Sequence, residues 1–220
     1  MTSRGMLIVI EGIDRAGKTT LLKRLVEHFQ TKNVNVISFR FPDRLTPIGT
    51  IITQYLELPP QTNLKTEDLD DRTIHLLFSA NRWEQATFIN EELMKGTHVI
   101  IDRYAYSGVC YSAAKGIDRE WCKFTEIGLP EPDLVLYLDI QPEISCARND
   151  FGNERHDSLE FQKQVYEQFQ TFRGLPQWHT IDATLTPDEI LQHSLDTILQ
   201  LQIQEPLDQK SLRFLTHQTF

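Results

Sequence analysis

Residues 6–19 read Met6-Leu7-Ile8-Val9-Ile10-Glu11-Gly12-Ile13-Asp14-Arg15-Ala16-Gly17-Lys18-Thr19. Five apolar residues predict a buried strand, and residues 12–19 complete the pattern G-x-x-x-x-G-K-[ST] directly after it. Leu21, Leu22, Leu25, Val26 and Phe29 then recur at helical spacing, so the loop joins a strand to an amphipathic helix. That context is what a phosphate-binding loop requires. Its glycines let successive backbone N–H groups turn inward around a polyphosphate, and the helix adds its positive N-terminal end. Lys18 is expected to reach the outer phosphates and the Thr19 hydroxyl to ligate Mg²⁺. Gly12, Asp14, Arg15, Ala16, Gly17 and Thr20 complete the expected cradle. A Gly-rich turn without a ligand does not account for Lys18 and Thr19 together.

Outward from this loop, apolar runs predict strands over 6–11, 34–39, 97–102, 134–139 and 179–182. Helical patterns lie between and beyond them, from residue 18, over 46–58, over 67–95 with Gly96 as a stop, and over 158–172 and 187–202. Strands alternating with helices predict an α/β fold in three layers, a five-stranded parallel sheet between helices. A chain of 220 residues suits one such domain, expected over 1–205, with a polar tail over 206–220.

The net charge of −9 argues against a general nucleic-acid-binding surface. Cys110, Cys122 and Cys146 form no C-x-x-C pair, so the expectation is reduced thiols in a cytoplasmic protein rather than a disulfide framework or a zinc site. No apolar stretch approaches membrane-spanning length, and with the first strand starting this early no targeting peptide is expected.

Phosphoryl transfer asks for reacting groups held in line and for positive charge where negative charge develops. Several residues suit that task. The third strand ends in Asp102, the ligand-facing edge of a parallel sheet, and Arg103 follows at once. Asp102 there is expected to hold Mg²⁺ through water and Arg103 to bind phosphate. Arg15 lies inside the phosphate loop, where a long cation has no structural purpose but is placed to act as an arginine finger. Arg40-Phe41-Pro42-Asp43-Arg44 closes the second strand, with Arg44 suited to clamp an acceptor phosphate. In His75-Leu76-Leu77-Phe78-Ser79-Ala80-Asn81-Arg82-Trp83-Glu84, Phe78 and Arg82 are four apart and share a helix face. A ring and a guanidinium so arranged suit stacking on a base and bonding its exocyclic oxygen; spacing alone favours a core phenylalanine beside a surface arginine.

Taken together, residues 11–19, 40–44, 78–84 and 102–108, extended by Gly128-Leu129-Pro130-Glu131-Pro132-Asp133, resemble the thymidylate kinase family over roughly residues 5–200. The arginine inside the phosphate loop resembles the eukaryotic and viral branch. The resemblance implies transfer of the ATP γ-phosphate to dTMP with Mg²⁺ and a homodimer formed through helices flanking the sheet. It implies that Arg15, Lys18, Asp102 and Arg103 serve catalysis and that Asp14 lies near the sugar 3′-hydroxyl. Phe41, Arg44 and Arg103 would hold the acceptor, Phe78 would stack on thymine and Arg82 would bond its O4. Ser107, Gly108, Tyr111 and Ser112 would line the nucleoside pocket, with Tyr111 crowding the 2′ position. A lid over 148–157 would bring Arg148 to the adenine and Glu154, Arg155 and Asp157 to the reacting phosphates. His156 and Asp157 stand where the vertebrate pattern has Tyr and Glu.

Competing readings are a kinase for another nucleoside monophosphate such as UMP, a deoxynucleoside kinase, a regulatory GTPase and a non-enzymatic nucleotide-binding module. Arg44 and Arg103 favour an acceptor already bearing phosphate. The guanine-reading N/T-K-x-D motif of a GTPase is represented only by Thr31-Lys32-Asn33, which lacks the Asp.

Overall fold

A computed structural model describes residues 4–57, 69–148, 156, 158–204 and 212–220. Five strands, β1 (Leu7–Glu11), β2 (Val36–Arg40), β3 (His98–Asp102), β4 (Leu134–Asp139) and β5 (Trp178–Asp182), form one sheet in the order β2-β3-β1-β4-β5. All four pairings are parallel. Central β1 is buried along its whole length and β4 almost so, as expected for strands covered on both faces, and edge strand β2 is only half-covered. The strand order reverses at β1, so the carboxyl ends of β1, β3 and β4 converge on the crevice where parallel sheets bind ligands.

Helices α1 (Lys18–Thr31) and α8 (Pro187–Gln204) pack on each other and on the sheet. Helices α3 (Asp71–Met94), α4 (Ala105–Ala113), α5 (Arg119–Phe124) and α7 (Leu159–Gln170) form a second group around one another, with α2 (Pro47–Leu56) on α3 and α6 (Pro142–Cys146) on α7. Several boundaries move relative to the sequence reading. β2 starts at Val36 rather than at 34, because Asn33 takes a positive φ of 56° and turns the chain out of α1. α3 starts at Asp71, capped by the Asp70 carboxylate accepting from the Arg72 N–H; residues 67 and 68 lie outside the described residues, as does 58 at the predicted end of α2.

Three helices gave no periodic signal. α4 is buried nearly all round, at Ala105, Tyr106, Ser107, Val109, Cys110 and Ser112, so no polar face alternates with an apolar one. α5 and α6 are too short, at six and five residues, for a period to register. Part of the predicted tail also joins the core. Leu215 and Phe220 are buried, and Phe220 stacks on Tyr106 at 5.0 Å.

Candidate active site

At the end of β1 the chain must turn sharply, and Gly12 takes a φ of 145° that a side chain would not tolerate. A Cβ there would lie 2.8 Å from the Leu138 carbonyl oxygen. The loop then delivers the N-terminus of α1, which has neither a side-chain cap nor an acidic residue in its first turn. Its first N–H groups therefore have no capping side chain from the helix itself, the situation of an anion-binding helix terminus. Lys18 is buried, with its Nζ 2.6 Å from the Ile13 carbonyl oxygen. Burial, reinforced by the Arg103 charge, pulls its pKa down to about 7, and a bound polyphosphate would restore the ammonium.

Thr19 Oγ1 donates to Asp102 Oδ2 at 2.6 Å, bringing together the two residues expected at Mg²⁺. Asp102 is buried, and its Oδ1 has no hydrogen-bond partner among the described residues. A buried carboxylate oxygen is costly to leave unpaired, and a hydrated divalent cation fits its needs. Oxygen donors alone suit Mg²⁺, which keeps most of its ligands as water and phosphate. Arg15 and Arg103 both hold positive φ, 60° and 67°. Such conformations cost non-glycine residues about 1–3 kcal/mol and concentrate at functional sites. Arg148 ties the loop from outside, with Nη1 donating to the Arg15 carbonyl at 2.7 Å and Nη2 to the Ala183 carbonyl at 2.9 Å.

Beside the loop stands the Arg103–Asp14 pair, a salt bridge through Arg103 Nη2. Arg103 Nη1 reaches the Gly12 carbonyl at 3.3 Å and the Tyr111 hydroxyl at 3.2 Å. Burial raises the Asp14 pKa, but Arg103 and Lys18 outweigh it and leave the group below the ordinary carboxylate value. The Gln162 side chain holds Asp14 on two sides, donating to Oδ2 at 2.6 Å and accepting from the backbone N–H at 3.0 Å. The same amide nitrogen donates to the His156 carbonyl at 3.1 Å, which links α7 and residue 156 to the phosphate loop.

Beside this pair lies a cavity open to solvent. Phe41, Arg44, Phe78, Arg82, Arg103, Ser107, Gly108, Tyr111 and Ser112 all line it, joined by Asp14, Arg40, Leu56, Ile74, Lys115 and His156. Arg82 is not a surface arginine. It is buried against Glu126, with Nε donating to Oε2 at 2.8 Å and Nη2 to Oε1, which leaves Nη1 as the nitrogen that Glu126 does not engage. A fork held at both prongs gives a planar donor with one orientation. Gly108 makes room for it, since a Cβ there would stand 2.3 Å from Arg82 Nη2. Phe78 is half-buried, neither a free surface ring nor a sealed core residue. Two further residues set the frame. Glu11, buried under the loop, accepts from the Tyr104 N–H at 2.9 Å, the Ser107 N–H at 3.1 Å and the Ser107 hydroxyl, fixing the start of α4. Asn81 accepts from the Asp43 N–H at 2.7 Å and donates to the Asp43 carbonyl at 3.1 Å and Thr46 Oγ1 at 2.9 Å, so α3 holds the turn that carries Arg44.

Every expected site residue among the described ones except Ala16, Gly17 and Thr20 has a contact or cavity position described above; those three belong to the phosphate loop and the start of α1, with Ala16 buried and Thr20 exposed. Glu154, Arg155 and Asp157 lie outside the described residues. Glu11 and Asn81 fell inside the motifs without a role; a carboxylate ending an apolar strand and an amide in an aromatic helix segment were the available signals. Glu126, Gln162 and His75 gave none, because their partners are 44, 148 and 37 positions away.

Comparison with known proteins gives consistent matches. A family model described as thymidylate kinase matches residues 10–193. The thymidylate kinase of Dictyostelium discoideum is 46% identical over 86% of this chain and 83% of its own length. That of Homo sapiens is 42% identical over 82% of this chain and 84% of its own. A solved structure of thymidylate kinase from Candida albicans superposes with a TM-score of 0.86 at 33% identity, over 98% of this chain and 100% of that one.

Proposed function

This chain belongs to the thymidylate kinase family, and from that premise we propose how its own residues carry out the reaction. It is a nucleoside monophosphate kinase that transfers the ATP γ-phosphate to dTMP and gives dTDP. ATP binds with its phosphates on loop 12–19, where Lys18 and the α1 N–H groups oppose their charge. Thr19 and, through water, Asp102 would hold Mg²⁺, which would supply neutralising charge beside the phosphate oxygens. The acceptor phosphate is held by Arg44 and Arg103, the base lies on Phe78, and Arg82 donates to its O4. Asp14 lies between the two substrates at the sugar 3′-hydroxyl, and Arg15 acts on the transferring phosphoryl group.

One observation carries this division of labour. The cavity that Phe78 and Arg82 line is lined also by Asp14 and Arg103, whose guanidinium bonds the first glycine of the phosphate loop. Acceptor and donor sites therefore meet at one arginine, as in-line transfer requires. The lid residues Glu154, Arg155 and Asp157 complete the reacting site on this reading, and Arg148 covers the adenine. Within the tail, residues 212–220 pack with the main domain, a reading supported by buried Leu215 and Phe220.

The protein works as a homodimer on this proposal. Leu76, Trp83 and Met94 are exposed and fall 7 and 11 residues apart along α3, one apolar stripe suited to a partner helix. Analytical ultracentrifugation giving only monomer would remove that reading. Among the described residues no helix is long and apolar enough to cross a membrane, and we place the enzyme in the cytoplasm, in keeping with its three free cysteines.

A coupled ADP-release assay with dTMP, dUMP, UMP, CMP, AMP and thymidine tests the substrate assignment. dTMP should lead and dUMP follow by about 10- to 200-fold, the range for one methyl in a pocket. Equal or better use of CMP or AMP would overturn it.

A further inference from the structure

We infer that His75 fixes the direction of the Ser112 hydroxyl proton and so makes Ser112 a hydrogen-bond acceptor that reads the N3–H of the acceptor base, admitting uracil-type bases and refusing cytosine. This rests on the reading of the cavity as the base site, and it adds a residue that never touches the substrate.

His75 sits on α3 one turn before Phe78 and is wholly buried. Its Nδ1 is 2.7 Å from Ser112 Oγ, and Ser112 lines the cavity. Its Nε2 is 3.2 Å from the Cys122 carbonyl oxygen and 2.9 Å from Thr125 Oγ1. The carbonyl can only accept. The Thr125 hydroxyl itself donates to that carbonyl at 3.0 Å, so its oxygen also faces the ring as an acceptor. Both oxygens around Nε2 therefore call for a ring proton there. Burial, the largest influence, lowers the His75 pKa; the Glu126 charge and the Cys122 and Gly108 carbonyls oppose it, and Arg82 adds to it, leaving the neutral ring favoured. A neutral ring has one proton. With that proton on Nε2, Nδ1 is a bare lone pair, and the Ser112 hydroxyl must donate to it.

What Ser112 then offers the cavity is its oxygen lone pairs. Arg82, pinned by Glu126, offers only N–H groups. Arg82 and Ser112 thus present the pocket with a fixed donor and a fixed acceptor. Thymine and uracil present the complement, an O4 acceptor beside an N3–H donor. Cytosine presents the reverse at both atoms, an amino donor beside a bare N3. In place of thymine it would set donor against donor and lone pair against lone pair, with buried polar groups left unpaired. The contact to N3–H is made directly or through one bridging water.

Two measurements test this on the full-length enzyme. Long-range ¹⁵N–¹H spectra of the histidine rings at neutral pH, with His75 assigned by the signals lost in His75→Gln, should show His75 neutral and protonated on Nε2. A proton on Nδ1, or a doubly protonated ring, overturns the inference. In parallel, the ratio of kcat/KM for dTMP over dCMP is compared between wild type and Ser112→Ala, with melting temperature and ATP KM as controls for folding. The ratio should fall by roughly tenfold or more, the discrimination a specific base hydrogen bond supplies. An unchanged ratio in Ser112→Ala, with wild-type preference for dTMP intact, removes this inference alone. A wild-type enzyme that uses dCMP as readily as dTMP removes the base-site reading on which it stands.

Discussion

Replacing Gly108 with alanine sets two effects of opposite sign against each other. Gly108 lies within α4, and glycine inside a helix costs about 0.5–1 kcal/mol relative to alanine. On propensity alone, Gly108→Ala stabilises the protein by that amount. The new methyl, however, would stand 2.3 Å from Arg82 Nη2 and 2.9 Å from its Cζ. An exposed arginine would simply swing away. Arg82 is buried and held at both prongs by Glu126, so relief means overpacking, at about 1–3 kcal/mol, or weakening hydrogen bonds to a charged group worth about 1.5–3 kcal/mol each. The clash wins. A net destabilisation of about 2 kcal/mol corresponds to a fall of roughly 4–8 °C in melting temperature for a domain of this size. Displacing the guanidinium also moves the donor from the base, so calorimetric dTMP affinity should fall about tenfold or more, with ATP affinity unchanged. A variant that melts higher than wild type and binds dTMP normally would show that Arg82 is free to move, and the account of a pinned base-reading arginine would be wrong.

Arg15→Ala should lower kcat by roughly 10³-fold or more with little change in dTMP affinity; a loss of affinity at unchanged kcat refutes the finger role. Phe78→Ala should leave the protein folded and weaken dTMP binding by roughly 1–3 kcal/mol, the scale of base–aromatic stacking. A stability loss of about 3–5 kcal/mol without a change in affinity would return Phe78 to ordinary core. Burial lowers the pKa of His75 and His98 below the ordinary histidine value of 6.5, so the unfolded chain takes up protons there that the native state refuses. Their contribution is present above that pH and is lost as pH falls through and below it. Urea unfolding at about pH 7.5 and about pH 5.5 should show a shallower loss in His98→Gln than in wild type, and equal slopes would contradict the assignment.

The five-stranded parallel sheet was legible because its signals are local. Apolar strand runs, the spacing of Leu21, Leu25 and Phe29, and the loop of residues 12–19 each specify backbone geometry within a few residues. The resemblance carried by residues 40–44, 78–84 and 102–108 then named the reaction. α4 escaped notice because helical periodicity exists only where one face meets water, and Tyr106, Val109 and Cys110 meet none. The residues that orient the site escaped for another reason. Nothing near Arg82 announces Glu126, nothing near Asp14 announces Gln162, and nothing near Ser112 announces His75. Sequence alone determined which chemical groups the protein possesses and which strand ends present them. Only the tertiary structure decided their state: a guanidinium held in one plane, a lysine drawn to a pKa of about 7, and a serine whose proton direction follows from a buried imidazole. These depend on contacts between distant segments in a medium without water, where each polar group must find its partner within the fold.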